Sequence, residues 1–161
     1  MVTPVFPLAV QVPVPSSHWD GLLAADLFAP CGTPWIAVWD GVAVPRDVPL
    51  GGHALLLTAD DGTQAYYAHG APERAAGRVR AGQVIGAVSD SGNAAGRGCH
   101  LHLALGQIDD QGAGTIAPWE ALSGATVATV DSPAQATASP QARPWLLLAA
   151  AVALLLVMDD L

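Results

Sequence analysis

The chain has 161 residues, of which 12% are charged, and its formal net charge is −8 at pH 7. This length suffices for one domain with a buried core and for flanking segments. All six basic residues are arginines, and the excess of acidic groups argues against nucleic acid as a partner, because nucleic-acid binding depends on cationic contacts to phosphate.

The first segment, residues 1–17, is rich in proline and valine. We expect it to be extended, since a residue that precedes proline disfavours helix. It lacks the positively charged beginning of a secretory signal peptide, so it is not predicted to be one. The next segment, SSHWDGLLAADLFAP, contributes His18 and Asp26. Taken singly, these two residues would be an ordinary loop histidine and a turn or cap acid.

Four β-rich runs predict strands in the first half of the chain: residues 35–39, 42–44, 53–58 and 63–68. Asp40-Gly41 separates the first two runs, and such a pair is typical of a two-residue hairpin turn. Residues 60–62 supply a turn between the other two. The sequence therefore predicts two β-hairpins, and the second ends in the tripeptide Tyr-Ala-His, whose histidine is His69.

A later strand is predicted over Cys99–Gly106, the sequence CHLHLALG, after a short strand at 83–88 and a glycine-rich loop at 89–98. Successive side chains on a strand point to opposite faces. His100 and His102 therefore share one face, about 7 Å apart, and the intervening leucines face the core. A strand with one apolar face and one imidazole face is suited to holding a metal ion.

The two cysteines, Cys31 and Cys99, fit neither a zinc-finger spacing nor a CxxC redox motif. A disulfide and two buried free thiols both remain open from the sequence, because pairing depends on the distance between the two Cα atoms. A disulfide would require that the chain folds in an oxidising compartment.

The globular domain is predicted over residues 18–124, and residues 125–143 have the composition of a flexible linker. In the last segment, 144–161, residues 145–158 form an unbroken apolar run of 14 residues. That is shorter than the roughly 17–25 residues that span a bilayer. A tryptophan at its start and charges on both sides favour a C-terminal membrane anchor over a core helix. A helix packed against partner proteins is the remaining alternative.

The candidate site consists of five side chains from distant parts of the sequence: His18, Asp26, His69, His100 and His102. A catalytic zinc ion takes three protein ligands from His, Asp and Glu and leaves one position for water. Further histidines beside it can transfer protons or stabilise an oxyanion. The set is therefore large enough for a metal ion and for acid-base groups.

The chain resembles the lysostaphin-type (LytM-like) zinc metallopeptidases, a family of peptidoglycan endopeptidases. The resemblance spans about residues 16–122 and is carried by AADLFAP, YAH, GQ-x-IG and HLH in the family's order. It implies an all-β, mostly antiparallel fold, one zinc ion (Zn²⁺), and a peptide of peptidoglycan as substrate. Residue by residue, it implies metal ligands at His18, Asp26 and His102, and catalytic groups at His69 and His100.

Two departures from the family pattern affect these assignments. The commonest spacing of the first two ligands is H-x-x-x-D, whereas seven residues separate His18 from Asp26 here. Either Asp20 or Asp26 is a ligand candidate, and AADLFAP followed by GTP favours Asp26. Cys99 also stands where the family usually has proline before HLH, which is expected to alter the loop and not the metal chemistry.

Three other interpretations remain. The zinc D-Ala-D-Ala peptidases share the S-x-H-x-x-G beginning of SSHWDG, but their later Glu-x-x-His pair does not occur in the sequence. A catalytically inactive scaffold or activator of the same fold would be expected to lose metal ligands. A structural membrane protein of a virion would explain the apolar tail but not the histidines. A peptidase tethered through residues 145–158 to a phage virion or a cell envelope combines both features, with virion or envelope proteins as further partners.

Overall fold

The structure, a computed structural model, describes residues 4–129. Its elements in chain order are β1 (Ala24–Phe28), β2 (Pro34–Ile36), β3 (Gly41–Val48), β4 (Gly52–Thr58), β5 (Gln64–Gly70), β6 (Gly77–Val79), β7 (Val84–Ala87), β8 (His100–Gly106) and α1 (Pro118–Ala121). Six strands form one antiparallel sheet in the order β1-β8-β5-β4-β3-β6, and β2 pairs antiparallel with β7 in a second sheet. The predicted all-β, mostly antiparallel architecture is therefore confirmed.

The predicted C-terminal apolar helix at 144–161 lies outside the described residues. Within residues 4–129, no helix has the length and apolar character needed to cross a membrane.

One face of the large sheet is buried because its strands alternate between apolar and polar side chains. The fully buried face includes Leu55, Leu57, Tyr67, Leu101, Leu103 and Leu105. Between them, residues such as Tyr66 and His102 point to the opposite, partly exposed face. The Tyr67 hydroxyl donates to the Ile36 carbonyl at 2.9 Å and accepts from the Val38 amide at 3.0 Å. These bonds connect the large sheet to the chain around β2.

Trp35 of β2 is fully buried where the two sheets meet, and two glycines make room for it. A Cβ at Gly70 would lie 2.3 Å from Trp35 Cη2, and a Cβ at Gly86 would lie 2.7 Å from Trp35 Cε3. Only glycine allows the backbone to approach the indole this closely. Gly70 ends β5, so this packing also fixes the strand that carries His69.

The predicted hairpin around Asp40-Gly41 is wrong. β2 ends at Ile36 and pairs with β7, whereas β3 begins at Gly41 and pairs with β4 and β6. The Ile36 amide donates to the Pro7 carbonyl at 2.8 Å, and Asp40 accepts from the Ala81 amide at 2.8 Å. Contacts with distant segments thus replace the local pairing. The hairpin predicted around residues 60–62 is confirmed, since β4 and β5 pair through it.

The two ends of the described chain pack together on the core. Phe6 and Leu8 are fully buried, and the Phe6 amide donates to the Thr126 carbonyl at 2.9 Å. Ala125 and Val127 pack against the same core. The folded unit therefore extends beyond the predicted limits of 18 and 124 on both sides. The rest of the predicted linker, up to residue 143, lies outside the described residues.

Of the two alternatives for the cysteines, a disulfide or two free thiols, the structure has the disulfide. Cys31 and Cys99 form a disulfide across a sequence separation of 68 residues, with their Cα atoms 5.3 Å apart. Cys31 lies three residues after β1 and Cys99 lies directly before β8. The bond therefore joins the two neighbouring strands that carry Asp26, His100 and His102.

Candidate metal centre and active site

The pairing of β1 with β8 places the first two candidate ligands side by side. Asp26 and His102 are register partners, as are Phe28 and His100. Directly opposed residues of an antiparallel pair lie on the same face of the sheet. The alternation that buries Leu101 and Leu103 thus turns both histidines towards the Asp26 side chain.

His18 completes a cluster of three potential metal ligands. Its Nε2 lies 3.2 Å from Asp26 Oδ2, and His102 Nδ1 lies 3.0 Å from Asp26 Oδ1. Ligand atoms of these three residues all lie within 4.8 Å of one another. Of the two aspartates left open by the sequence, Asp26 lies in this cluster, whereas Asp20 contacts the opposite edge of the His18 ring.

The hydrogen bonds behind the two imidazoles determine which of their nitrogens carry lone pairs. His18 donates its Nδ1–H to the Asp20 carboxylate, and His102 donates its Nε2–H to the Gly112 carbonyl at 3.1 Å. In a neutral imidazole the other nitrogen is then an acceptor. With these tautomers, His18 Nε2 and His102 Nδ1 both present lone pairs to a carboxylate, and three converging acceptors are suited to a cation. Two imidazoles and one carboxylate suit zinc.

His69 and His100 lie beside this cluster with their ring centres 4.7 Å apart. His69 donates its Nδ1–H to the Ser91 carbonyl at 2.9 Å, and His100 donates its Nδ1–H to the Gly98 carbonyl at 2.9 Å. Both rings therefore keep Nε2 free to accept a proton. His100 Nε2 lies 4.0 Å from Asp26 Oδ1, so it faces the candidate ligands directly.

The backbone at His69 is unusual. Its φ is +64°, which makes it the non-glycine residue with positive φ in the described chain, and this conformation costs about 1–3 kcal/mol. The His69 amide donates to the Gly51 carbonyl at 2.8 Å, and the His69 carbonyl accepts from the Ser89 amide at 2.9 Å. These bonds hold the strained residue at the end of β5, where its ring enters the site.

Burial and neighbouring groups shift the pKa values of two of these residues. Burial lowers the pKa of His69 to about 4, assisted by His100 and His102. Burial alone would raise the pKa of Asp26, but the neighbouring imidazoles of His102, His18 and His100 hold it below its ordinary value. At neutral pH the site thus contains an ionised carboxylate and a neutral His69, which are the forms that a metal ligand and a proton acceptor require.

An open groove runs across the exposed face of the sheet and contains all five predicted site residues, with a volume of about 950 Å³. Its walls carry charges of both signs, from Arg46 and Arg97 and from Asp109 and Asp110. A second cavity of about 470 Å³ adjoins it at His18 and Asp26. Pro13, Pro15, Trp19 and Phe28 line that cavity, so it is largely apolar.

The structure thus brings together every residue predicted for the site: His18, Asp26, His69, His100 and His102. Sequence reasoning missed the supporting role of four groups. The position of Asp20, two residues after His18, is a signal, although it also makes Asp20 a competing ligand candidate. The carbonyls of Ser91, Gly98 and Gly112 have no signal, because a backbone acceptor leaves no mark on residue type.

Residues 21–113 match peptidase family M23, and this region is more than half of the chain. His18 lies just before the matched region. Its inclusion in the site is therefore supported by its contact with Asp26 and not by the family match. The chain is 40% identical over 86 residues to the DD-carboxypeptidase/endopeptidase Mpg of Neisseria meningitidis, covering 52% of this chain and 20% of the relative. It therefore spans about a fifth of the length of this curated relative.

Two solved structures show the same fold. The catalytic domain of lysostaphin from Staphylococcus simulans is 26% identical, with a TM-score of 0.54 over 70% of this chain and 87% of that domain. The catalytic domain of the prophage-encoded M23 protein EnpA from Enterococcus faecalis is 28% identical, with a TM-score of 0.53 over 69% and 91% of the two chains.

Proposed function

The chain belongs to peptidase family M23, and from that premise we propose that it is a zinc-dependent endopeptidase that cleaves peptide bonds in peptidoglycan. One observation carries the proposal: acceptor atoms of His18, Asp26 and His102 converge within 4.8 Å beside two histidines with free Nε2 atoms. The relative Mpg, described as a DD-carboxypeptidase/endopeptidase, and the antimicrobial peptidase lysostaphin support this class of substrate and reaction.

His18, Asp26 and His102 are the residues that would hold the metal. A bound Zn²⁺ supplies a Lewis acid that polarises the scissile carbonyl and acidifies water. The chain's own part is proton transfer: one of the His69 and His100 Nε2 atoms accepts a proton from the attacking water. The other, when it enters the reaction as the imidazolium with Nε2 protonated, donates a hydrogen bond to the developing oxyanion or that proton to the leaving amine.

The groove supports an extended peptide as substrate. It is open and has a volume of about 950 Å³ around the five site side chains. Charges of both signs on its walls suit a peptide that itself carries carboxylate and amino groups, as stem peptides and their cross-bridges do.

We further propose that the protein acts at a cell envelope or a virion membrane, held there by residues 145–158. The Cys31–Cys99 disulfide supports folding in an oxidising compartment, where peptidoglycan is also found. The apolar composition of the segment supports an anchor. A phage setting is the second candidate, and the likeness to prophage-encoded EnpA favours it.

A catalytically inactive scaffold of the same fold is the alternative function. It predicts neither bound metal nor cleavage, and the presence of side chains at all five positions argues against it.

The experiment that tests the proposal is digestion of purified peptidoglycan by the full chain, with the fragments identified by mass spectrometry. We expect new amino termini in stem peptides or cross-bridges, their loss after treatment with a chelator, and their return when Zn²⁺ is added. Cleavage that persists in the fully chelated protein, or products that arise only from the glycan strands, would overturn the proposal. A chain that neither binds zinc nor cleaves would be the scaffold.

A further inference from the structure

Asp20 lies outside the set of metal ligands but is in direct contact with one of them. Its carboxylate accepts the Nδ1–H of His18 and also the amide of Leu22, the latter at 3.1 Å. His18 Nε2, on the other side of the same ring, points to Asp26 Oδ2 at 3.2 Å. The three residues thus form a relay from an outer carboxylate through an imidazole to the candidate metal position.

His18 needs such support more than the other two ligands do. Asp26 and His102 lie in paired strands, and their backbones are held by the ladder between β1 and β8. His18 lies in the loop before β1, outside any strand, where its carbonyl accepts only a turn bond from the Gly21 amide at 3.0 Å. Its ring is nevertheless almost fully buried, with 6% of the side chain exposed.

We infer that Asp20 is the positioning residue that makes His18 a metal ligand. By accepting Nδ1–H, it fixes the tautomer that leaves the Nε2 lone pair facing Asp26, and its charge increases the basicity of that nitrogen. The inference rests on the proposed function, because it assumes that the cluster binds a metal. It assigns a positioning role to Asp20, which is not itself one of the three metal ligands.

A purely structural role for Asp20 would give a different result. Its second bond, from the Leu22 amide, closes a local turn of the kind that aspartate and asparagine both form. Asp20→Asn keeps an acceptor for that amide and for His18 but removes the charge. Asp20→Ala removes both acceptors. If Asp20 only shapes the loop, the asparagine variant behaves as the unaltered chain does.

Replacing Asp20 by alanine removes a negative charge from the groove as well as the contact with His18. A control variant must separate these two effects. Asp110 lines the same groove, and among the described residues its side chain forms no hydrogen bond or ion pair. Asp110→Ala is therefore the matched control, since it removes a carboxylate from the groove without touching a ligand.

The test measures the affinity of the full chain for Zn²⁺ by competition with a chromophoric chelator, and the visible absorption of the Co²⁺-loaded protein. We expect Asp20→Ala to bind zinc 10–100-fold more weakly, as is typical when an outer partner of a ligating histidine is lost. Its Co²⁺ spectrum should also change. Asp20→Asn should be weakened by a smaller factor that still exceeds twofold, and Asp110→Ala should stay within twofold.

Three results would overturn the inference: zinc affinity of Asp20→Ala within twofold of the unaltered chain, zinc affinity of Asp20→Asn within the same limit, or an equal loss in Asp110→Ala. If Asp20→Ala does not fold, as judged by circular dichroism, Asp20→Asn decides the matter by the same twofold limit. If the unaltered chain itself binds no zinc, the proposed function fails, and that result is distinct from one in which only the variants behave alike.

Discussion

His69 and His100 lie next to each other in the groove with ring centres 4.7 Å apart, and each donates its Nδ1–H to a backbone carbonyl. Neither ring belongs to the cluster of ligand atoms formed by His18, Asp26 and His102. Under the proposed function, metal binding and proton transfer therefore fall to different histidines, and the two functions should be separable by mutation.

The first prediction separates a ligand from a catalytic histidine. His102→Ala should abolish cleavage of peptidoglycan and weaken zinc binding severely, because it removes one of three ligands. His100→Ala should abolish cleavage but retain most of the metal. His53→Ala is the control, since His53 pairs with Asp47 away from the groove, and both measurements should be unchanged. Loss of zinc from the His100→Ala chain to the extent seen with His102→Ala would contradict the assignment.

The second prediction concerns pH and the buried His69. Its pKa is lowered from 6.5 to about 4 in the folded chain, so the unfolded chain binds more protons between these two values. The free energy of unfolding is therefore highest above pH 6.5 and should fall as the pH drops towards 4. Urea unfolding of the metal-free chain between pH 4 and 7 measures this slope.

The variant His69→Asn isolates the contribution of His69 to the pH dependence of the free energy of unfolding. Asparagine is chosen because it tolerates the positive φ at this position better than most residues do. We expect the pH slope of the variant to be smaller than that of the unaltered chain. Equal slopes for the two chains would show that His69 does not carry the effect.

The third prediction concerns the disulfide. Cys31 and Cys99 close a loop over a sequence separation of 68 residues, and the chain-entropy model assigns such a loop about 4 kcal/mol of stabilisation. The double variant Cys31→Ser/Cys99→Ser should lose free energy of unfolding on that order. The unaltered chain in a reducing agent is the matched control and should be destabilised similarly. A reduced chain as stable as the oxidised one would contradict the prediction.

The strand that carries His100 and His102 was predictable because its signals are local, whereas the combination of these residues with His18, Asp26 and His69 depended on the family resemblance. The alternation of histidine and leucine in CHLHLALG predicts both the strand and the face on which His100 and His102 lie, and the structure has this arrangement. The hairpin around residues 60–62 was equally local. In each case the pattern that identifies the element is contained within a few residues of it.

The incorrect prediction concerned contacts between distant segments. Asp40-Gly41 has the composition of a hairpin turn, yet the strand before it pairs with β7 and hydrogen-bonds to Pro7. The burial of Trp35 against Gly70 and Gly86 selects that pairing, and nothing near residue 40 indicates it. The supporting carbonyl of Gly112 was unpredictable for a related reason, since its function depends on where a loop passes and not on a side chain.

The fourth prediction concerns substrate binding by Trp19. This residue is 84% exposed and lines both cavities that meet at His18 and Asp26. Because it is not packed in the core, Trp19→Ala should leave the melting temperature unchanged. It should raise KM for a soluble peptidoglycan fragment and leave kcat nearly unaffected. Val44→Ala, an exposed apolar residue not among those that line the two cavities, should change neither constant. A lowered kcat with unchanged KM would contradict a role in binding.

The fifth prediction tests the carbonyl that supports His102. Gly112 has a φ of +80°, and a Cβ there would lie 2.9 Å from Tyr66 Cε1. Gly112→Ala should therefore displace the loop and draw its carbonyl away from His102 Nε2. Gly62→Ala is the matched control, because Gly62 has a φ of +85° with nothing within 4 Å of its added Cβ. Both variants should lose about 1 kcal/mol of stability through backbone strain, but only Gly112→Ala should bind zinc more weakly. Equal zinc affinity in the two variants would mean that the Gly112 carbonyl does not position the ligand.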